Sequence, residues 1–207
     1  MLLLANGLGS GGGAAIRSPA IPVPSGLASD RTLGSPDAPV TIDEWADFQC
    51  PICRQFFETI EPSLRETYIK TGTVKLVFHD YAFIGPESVQ AAAAARVSDA
   101  TGPGFWPFHD MLYTNQGTEN SGAFSQDRLA DMAVALGMDR NAFLTALADP
   151  SYTNAVTAET TQGAQVGVDS TPTLEINGRL YPGLPTWSQL SALIDQLAAS
   201  PGPGGSP

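Results

Sequence analysis

The stretch Cys50-Pro51-Ile52-Cys53 sits at a junction, and that junction constrains the fold more than any other part of the chain. Before it, Val40-Thr41-Ile42-Asp43-Glu44-Trp45 gathers β-branched and aromatic residues into a short run that reads as a strand. After it, Phe56, Phe57, Ile60 and Leu64 recur at helical spacing. Pro51 suits the first turn of that helix, where a missing N–H costs nothing. Pro62 lies inside the pattern and is expected to kink it. Gly72 closes the helix, and Val74-Lys75-Leu76-Val77-Phe78 reads as a second strand. Strand, helix, strand predicts a parallel βαβ unit with both cysteines at the start of its helix.

That placement has chemical content. A helix N-terminus offers free N–H groups and a partial positive charge, which favour thiolate over thiol at the first cysteine. One turn on, the second cysteine can reach the first and close a disulfide. Cys50 is then the attacking thiol and Cys53 the buried resolving thiol. Two other readings stand beside this one. Cysteine also packs as an inert small apolar residue. A zinc site needs two further ligands, and the only histidines, His79 and His109, match no finger spacing. Thr171-Pro172-Thr173 follows the polar turn Asp169-Ser170 and precedes a strand pattern. An X-Pro bond is the only common site for a cis peptide, although trans is its ordinary state. A cis-proline loop facing the cysteine helix would set backbone donors and acceptors beside the reactive sulfur.

Between these motifs the pattern is helical. Helices are expected from Pro86 through the run Ala91 to Ala95, from Phe105 to Tyr113, after a Ser125 cap with Gly137 past the end, after an Asp139 cap, and from about Ser151 to Gln165. Thr173-Leu174-Glu175-Ile176, the turn Asn177-Gly178 and Arg179-Leu180-Tyr181 predict a hairpin. Thr186-Trp187-Ser188-Gln189 is a capping box opening a helix with Leu190, Leu193, Ile194 and Leu197 inward. The order is βαβ, a helical block, then ββα.

Composition bounds the partners. With 10 Lys and Arg against 21 Asp and Glu, the net charge is −11. This disfavours nucleic acid and anionic membrane surfaces, both of which call for clustered cations. No apolar run approaches the ~18 residues that suggest a membrane span. Residues 1–36, rich in Gly, Ser and Pro, read as a flexible linker. Met1-Leu2-Leu3-Leu4-Ala5 is either the remnant of an anchor or a plain tail. Residues 200–207 read as a flexible tail.

Val40 to Cys53, read through Glu44-Trp45-Ala46-Asp47-Phe48-Gln49-Cys50, resembles the active-site stretch of the DsbA-like branch of the thioredoxin superfamily. Val168 to Arg179 resembles its cis-proline loop and following hairpin. Phe105-Trp106, His109-Asp110 and Tyr113-Thr114-Asn115-Gln116 resemble its inserted helical domain. The resemblance covers about Asp37 to Ala199 and implies an α/β thioredoxin fold over 37–85 and 165–199, with a helical domain inserted at 86–164. It implies an extracytoplasmic protein thiol:disulfide oxidoreductase. The expected activity is that of an oxidase passing its Cys50–Cys53 disulfide to reduced or unfolded exported proteins, with no other cofactor and no metal. A reductase or isomerase, or a non-catalytic binding module, remains the alternative. It implies further a membrane redox partner for reoxidation, a monomeric state, and a place in the periplasm or cell envelope. Cys50 matches the nucleophile, Cys53 the resolving thiol, Glu44 a buried acid beneath the disulfide, Lys75 its basic partner, and Thr171-Pro172 the cis-proline dipeptide. Pro51, Ile52 and Thr171 are expected to meet the substrate. The chain departs from the strongest oxidants of the branch at Ile52, where they carry histidine, and Ser170 replaces a glycine often seen before Thr-Pro.

The remaining candidates are given structural roles. His79 and His109 are expected to be structural, and Phe105, Trp106 and Phe108 to pack the insert. Asn115, Glu119 and Asn120 carry oxygen ligands, as polar loops commonly do.

Overall fold

The structure is a computed structural model that describes residues 15–200. The apolar start Met1 to Ala5 and the run from Pro201 to Pro207 lie outside the described residues. The elements are β1 (Ala28–Ser29), β2 (Thr32–Gly34), β3 (Val40–Ala46), α1 (Pro51–Thr59), α2 (Glu61–Leu64) and a π-helical turn (Arg65–Ile69). Then follow β4 (Val74–Asp80), α3 (Pro86–Thr101), α4 (Phe105–Thr114), α5 (Gln126–Ala135), α6 (Arg140–Leu147), α7 (Pro150–Gln165), β5 (Thr173–Ile176), β6 (Arg179–Pro182) and α8 (Trp187–Ala199).

The local signals act as their chemistry dictates. Pro51 is the first residue of α1, and the helix breaks at Ile60, just ahead of Pro62. Asp139 accepts from the Ala142 N–H, and Thr186 with Gln189 forms the complete capping box. Ser125 holds the N-cap position of α5 without a side-chain cap bond. Asn177 and Gly178 both take positive φ, +48° and +84°, as a tight two-residue hairpin turn requires.

The strands form one sheet in the order β1-β2-β4-β3-β5-β6, with β3 and β4 parallel as the βαβ pattern predicts. Alternation divides its faces. Val40, Ile42 and Glu44 on β3 share one face with Leu76 and Phe78 on β4. There Phe78 meets Phe105 and His109 of α4, with ring centroids 5.2 and 5.3 Å apart. On the other face, α7 comes close enough that a Cβ on Gly163 would lie 2.8 Å from the Trp45 ring and from Tyr81. Around that contact His79 bonds Asp43 and Glu159 at 2.9 Å each, while Glu159 also pairs with Arg31 and Arg96. Burial works against a charge on His79, but its two carboxylate partners outweigh it and hold the pKa at about 9.

Two expectations need correction. Residues 28–34 are not linker. Thr32–Gly34 runs antiparallel to β4, with Leu33 fully buried, and Ile16, Ile21, Val23 and Leu27 pack on the core. Gly34, at φ +124°, lies where any Cβ would come within 2.5 Å of the Val74 carbonyl. The Gly, Ser and Pro average over the segment hides five spaced apolar residues, and β4 would otherwise offer an open edge. Lys75 does not reach Glu44. It stands opposite Thr41 while Glu44 stands opposite Phe78, three positions along β4 and so on the other face. Its Nζ instead bonds the Pro36 carbonyl at 3.2 Å.

Among the described residues no helix is long and apolar enough to cross a membrane.

Candidate active site

Cys50 is the N-cap of α1, with extended backbone at φ −69° and ψ 119°, and Cys53 lies in the first turn. Both are free thiols. Cys50 is 6% exposed and Cys53 not at all, whereas Pro51 is exposed and Ile52 is 43% exposed. The Thr171-Pro172 bond is cis, and the loop brings the Thr171 carbonyl to 3.5 Å from the Cys50 sulfur. Of the expected site residues, Cys50, Cys53, Pro51, Ile52 and Thr171 therefore meet at one place, with Pro172 buried behind them.

The two thiols are electrostatically unlike. The Cys50 pKa is lowered to about 6, first by a hydrogen bond from the Cys53 thiol. Burial opposes this, but the Thr171 side chain and the backbone N–H groups of Cys53 and Ile52 favour the thiolate further. The Thr171 hydroxyl is buried without a partner among the described residues, so it is available to a thiolate. Cys53 is pushed well above its ordinary range by burial, then by the Cys50 sulfur and by Glu44.

Glu44 lies beneath the pair, 1% exposed, with Oε2 unpartnered among the described residues. Burial raises its pKa strongly, Glu61 and Cys50 raise it further, and Arg65 opposes them. The cation near Glu44 is thus Arg65 from the π-helical turn. Its guanidinium donates to Glu61 Oε1 at 2.7 and 3.0 Å and forks onto Asp110 at 2.6 and 2.8 Å. His109 Nδ1 completes the group at 2.8 Å from Asp110. Glu61, His109 and Asp110 each bring one possible ligand atom within 4.8 Å of the others. The Arg65 guanidinium, however, already serves both carboxylates as their cation, leaving Glu61 Oε2 without a partner among the described residues.

Sequence reasoning passed over the residues that hold the segment ahead of Cys50. Asp47 Oδ1 accepts from Gln49 N at 2.8 Å, and Oδ2 accepts from Phe83 N and Ile84 N at 3.0 and 3.1 Å. Gln49 Nε2 donates to Ser88 Oγ at 2.9 Å and to Asn120 Oδ1 at 3.2 Å. Gln116 Nε2 donates to the carbonyls of Phe48 and Cys50 at 2.7 and 3.0 Å. Asn115 turns the other way, donating to the Arg17 carbonyl and accepting from its N–H, each at 2.8 Å. Asn115 and Asn120 are thus tied to different segments rather than converging as ligands.

Residues 27–196 match the family described as Thioredoxin. The probable disulfide bond formation protein D of Bacillus cereus is 30% identical over 172 residues, which span 82% of this chain and 79% of that one. The crystal structure of oxidised BdbD from Bacillus subtilis superposes with a TM-score of 0.77, over 89% of this chain and 100% of that chain, at 24% identity. Na(+)/H(+) antiporter NhaA 3 of Salinispora tropica is 31% identical over 189 residues, covering 86% of this chain and 26% of that protein. The family match spans most of the chain and agrees with the 30% identity to a disulfide bond formation protein, and the chain belongs to the thioredoxin family as a DsbA-like thiol:disulfide oxidoreductase.

Proposed function

We propose that the chain is a disulfide oxidase that donates its Cys50–Cys53 disulfide to exported proteins. The observation that carries this is the asymmetry of the two thiols, Cys50 lowered to about 6 and Cys53 raised. A stabilised Cys50 thiolate stabilises the reduced form, and a stable reduced form makes the disulfide oxidising.

The steps follow from the same asymmetry. A client thiolate attacks the Cys50 sulfur, the Cys50–Cys53 bond breaks, and Cys53 leaves as a thiolate. Glu44, whose burial favours its protonated form, gives its proton to Cys53. A second client thiolate then attacks the client sulfur of the mixed disulfide and expels Cys50 as its stabilised thiolate. The client has lost two electrons and gained a disulfide, and the enzyme is left as Cys50 thiolate and Cys53 thiol. On reoxidation Glu44 takes the Cys53 proton back.

The cis-proline loop serves as the client's docking edge. When Cys50 is a protonated thiol it donates to the Thr171 carbonyl. In the thiolate and in the disulfide that hydrogen is gone, so the carbonyl is left for a client backbone N–H, in the manner of an added strand. Pro51 and Ile52, both exposed, border the same edge. The enzyme works outside the cytoplasm as a monomer, needs no cofactor beyond its own disulfide, and is reoxidised by a membrane partner. The likeness to a segment of a membrane antiporter supports a site at the cell envelope.

The deciding measurement is the reduction potential of the pair in glutathione buffers. We expect a value above the roughly −270 mV of thioredoxin. A value at or below it would assign the protein to reduction instead.

A further inference from the structure

We propose that Gln116 is a positioning residue for Cys50. Its side-chain amide, delivered by the helical insert, clamps the two carbonyls flanking Gln49 and so fixes where the Cys50 sulfur points.

Both protons of the Gln116 amide are committed, one to the Phe48 carbonyl at 2.7 Å and one to the Cys50 carbonyl at 3.0 Å, and the side chain is 7% exposed. The Cys50 carbonyl is also the acceptor of the first α1 bond, from Arg54 N at 3.1 Å. Holding that carbonyl fixes rotation about the Cys50 Cα–C bond. That rotation sets where the N–H groups of Ile52 and Cys53 lie relative to the Cys50 sulfur, and these N–H groups favour the thiolate. On the other side of the segment, Gln49 reaches to Ser88 and Asn120, and the Asn120 N–H returns a bond to Gln49 Oε1 at 2.6 Å. Residues 48–50 are therefore gripped from both sides by the insert. The amide also turns the positive end of its dipole toward the Cys50 backbone. In this arrangement the insert does more than shelter the site. It sets the reactivity of a thiol carried on a different part of the fold.

The proposal rests on Cys50 being the nucleophile, which is checked separately by mapping the thiol that alkylates first at acid pH. The test compares Gln116→Met, Gln116→Glu and Asn115→Ala. The readouts are the Cys50 pKa from ultraviolet thiolate absorbance and the potential of the pair against glutathione. Gln116→Met keeps the length and loses both donors. It should raise the Cys50 pKa by about one unit, a tenfold loss of thiolate below that pKa, and make the pair less oxidising. Asn115→Ala loses the bonds to Arg17 and Met111, none of which touches residues 48–50, and should leave both readouts unchanged. Gln116→Glu keeps one donor while its new acid is protonated and none once it ionises, so the thiol should shift part-way at first and further after ionisation. An unmoved pKa and potential in Gln116→Met overturn the clamp, and so does an equal shift in Asn115→Ala. If Gln116→Met does not fold, Gln116→Glu decides alone at pH values where its acid is protonated, a Cys50 pKa above the parent's in favour and the parent's value against. Alkylation falling first on Cys53 would overturn the nucleophile assignment and the clamp's purpose together. A normal alkylation map with an unmoved pKa overturns the clamp by itself.

Discussion

The sulfur of Cys50 lies 3.5 Å from the carbonyl oxygen of Thr171, a residue 121 positions further along the chain. Two motifs that are remote in sequence thus share one hydrogen bond, and only a protonated Cys50 thiol occupies the acceptor that the second has to offer. The consequences can be tested one at a time.

The roles of the thiols are the most direct of these. Cys50→Ser should abolish oxidation of a reduced model protein. Cys53→Ser should accumulate mixed disulfides through Cys50, because no resolving thiol remains. Gel mobility with and without reductant reads both, and adducts on Cys50→Ser but not on Cys53→Ser would reverse the assignment.

Stability should depend on redox state and pH together. The folded Cys50 pKa, about 6, lies below the ordinary ~8.5 of an unfolded cysteine. Its stabilisation of the reduced protein is complete above the unfolded value and is lost as pH falls through about 6. Cys53 acts oppositely. Its raised pKa keeps it protonated when an unfolded thiol ionises, so it subtracts stability as pH rises beyond ~8.5. Melting of reduced and oxidised protein should therefore show the reduced form gaining between about pH 6 and 8.5 and gaining no further above that range. A flat difference across that interval contradicts the Cys50 shift.

Ile52 marks an unused opportunity for tuning. It is 43% exposed, so histidine fits there at no cost to the core, and a protonated imidazole beside the sulfur favours the thiolate. Ile52→His should lower the Cys50 pKa further and make the pair more oxidising. Absorbance titration and glutathione equilibration measure the two effects, and an unchanged pKa would refute the explanation.

Glu44→Gln keeps the shape and removes the proton donor. Folding should tolerate it, since a buried carboxyl with an unpartnered oxygen is no source of stability. Formation of the mixed disulfide, which expels Cys53, should slow by about a hundredfold, the lower end for general acid catalysis. Stopped-flow mixing with a reduced peptide checks this, and an unchanged rate would remove Glu44 from the mechanism.

Arg65→Met should be the most damaging change. It leaves Glu61 and Asp110 buried without their cation, a loss of about 3–5 kcal/mol for a broken buried pair. Urea unfolding reads the loss, and a midpoint close to the parent's would mean the charges find other partners.

What could be read from the chain was local. The strand, helix and strand around Cys50, the Asn177-Gly178 turn and the Thr186 to Gln189 box each depend on neighbours within a turn, and each appears where its chemistry requires. What escaped was tertiary. Lys75 is a cation on the correct strand, yet strand parity puts it on the wrong face. Arg65 looks like a surface charge on an amphipathic helix, and only the approach of α4 turns it into a buried ion. The β1–β2 hairpin carries too few apolar residues to stand out of its Gly and Ser background, and it forms because β4 needs a neighbour. Gln49 and Gln116 are ordinary amides whose importance comes from the partners they find, Ser88 and Asn120 for one and two backbone carbonyls for the other, and those pairings carry no signature in sequence.

Arg65 also limits how this molecule can move. Its guanidinium is bonded by Glu61 from α2, by Asp110 from α4 and, at 3.4 Å, by the Pro22 carbonyl of the N-terminal segment. Swinging the helical insert away from the sheet would take Asp110 from a desolvated charge that Glu61 and the Pro22 carbonyl hold on the other half. Hinge opening between the two halves is therefore suppressed, and clients of different shape must be accommodated by the loops around Cys50 while the body of the protein stays rigid.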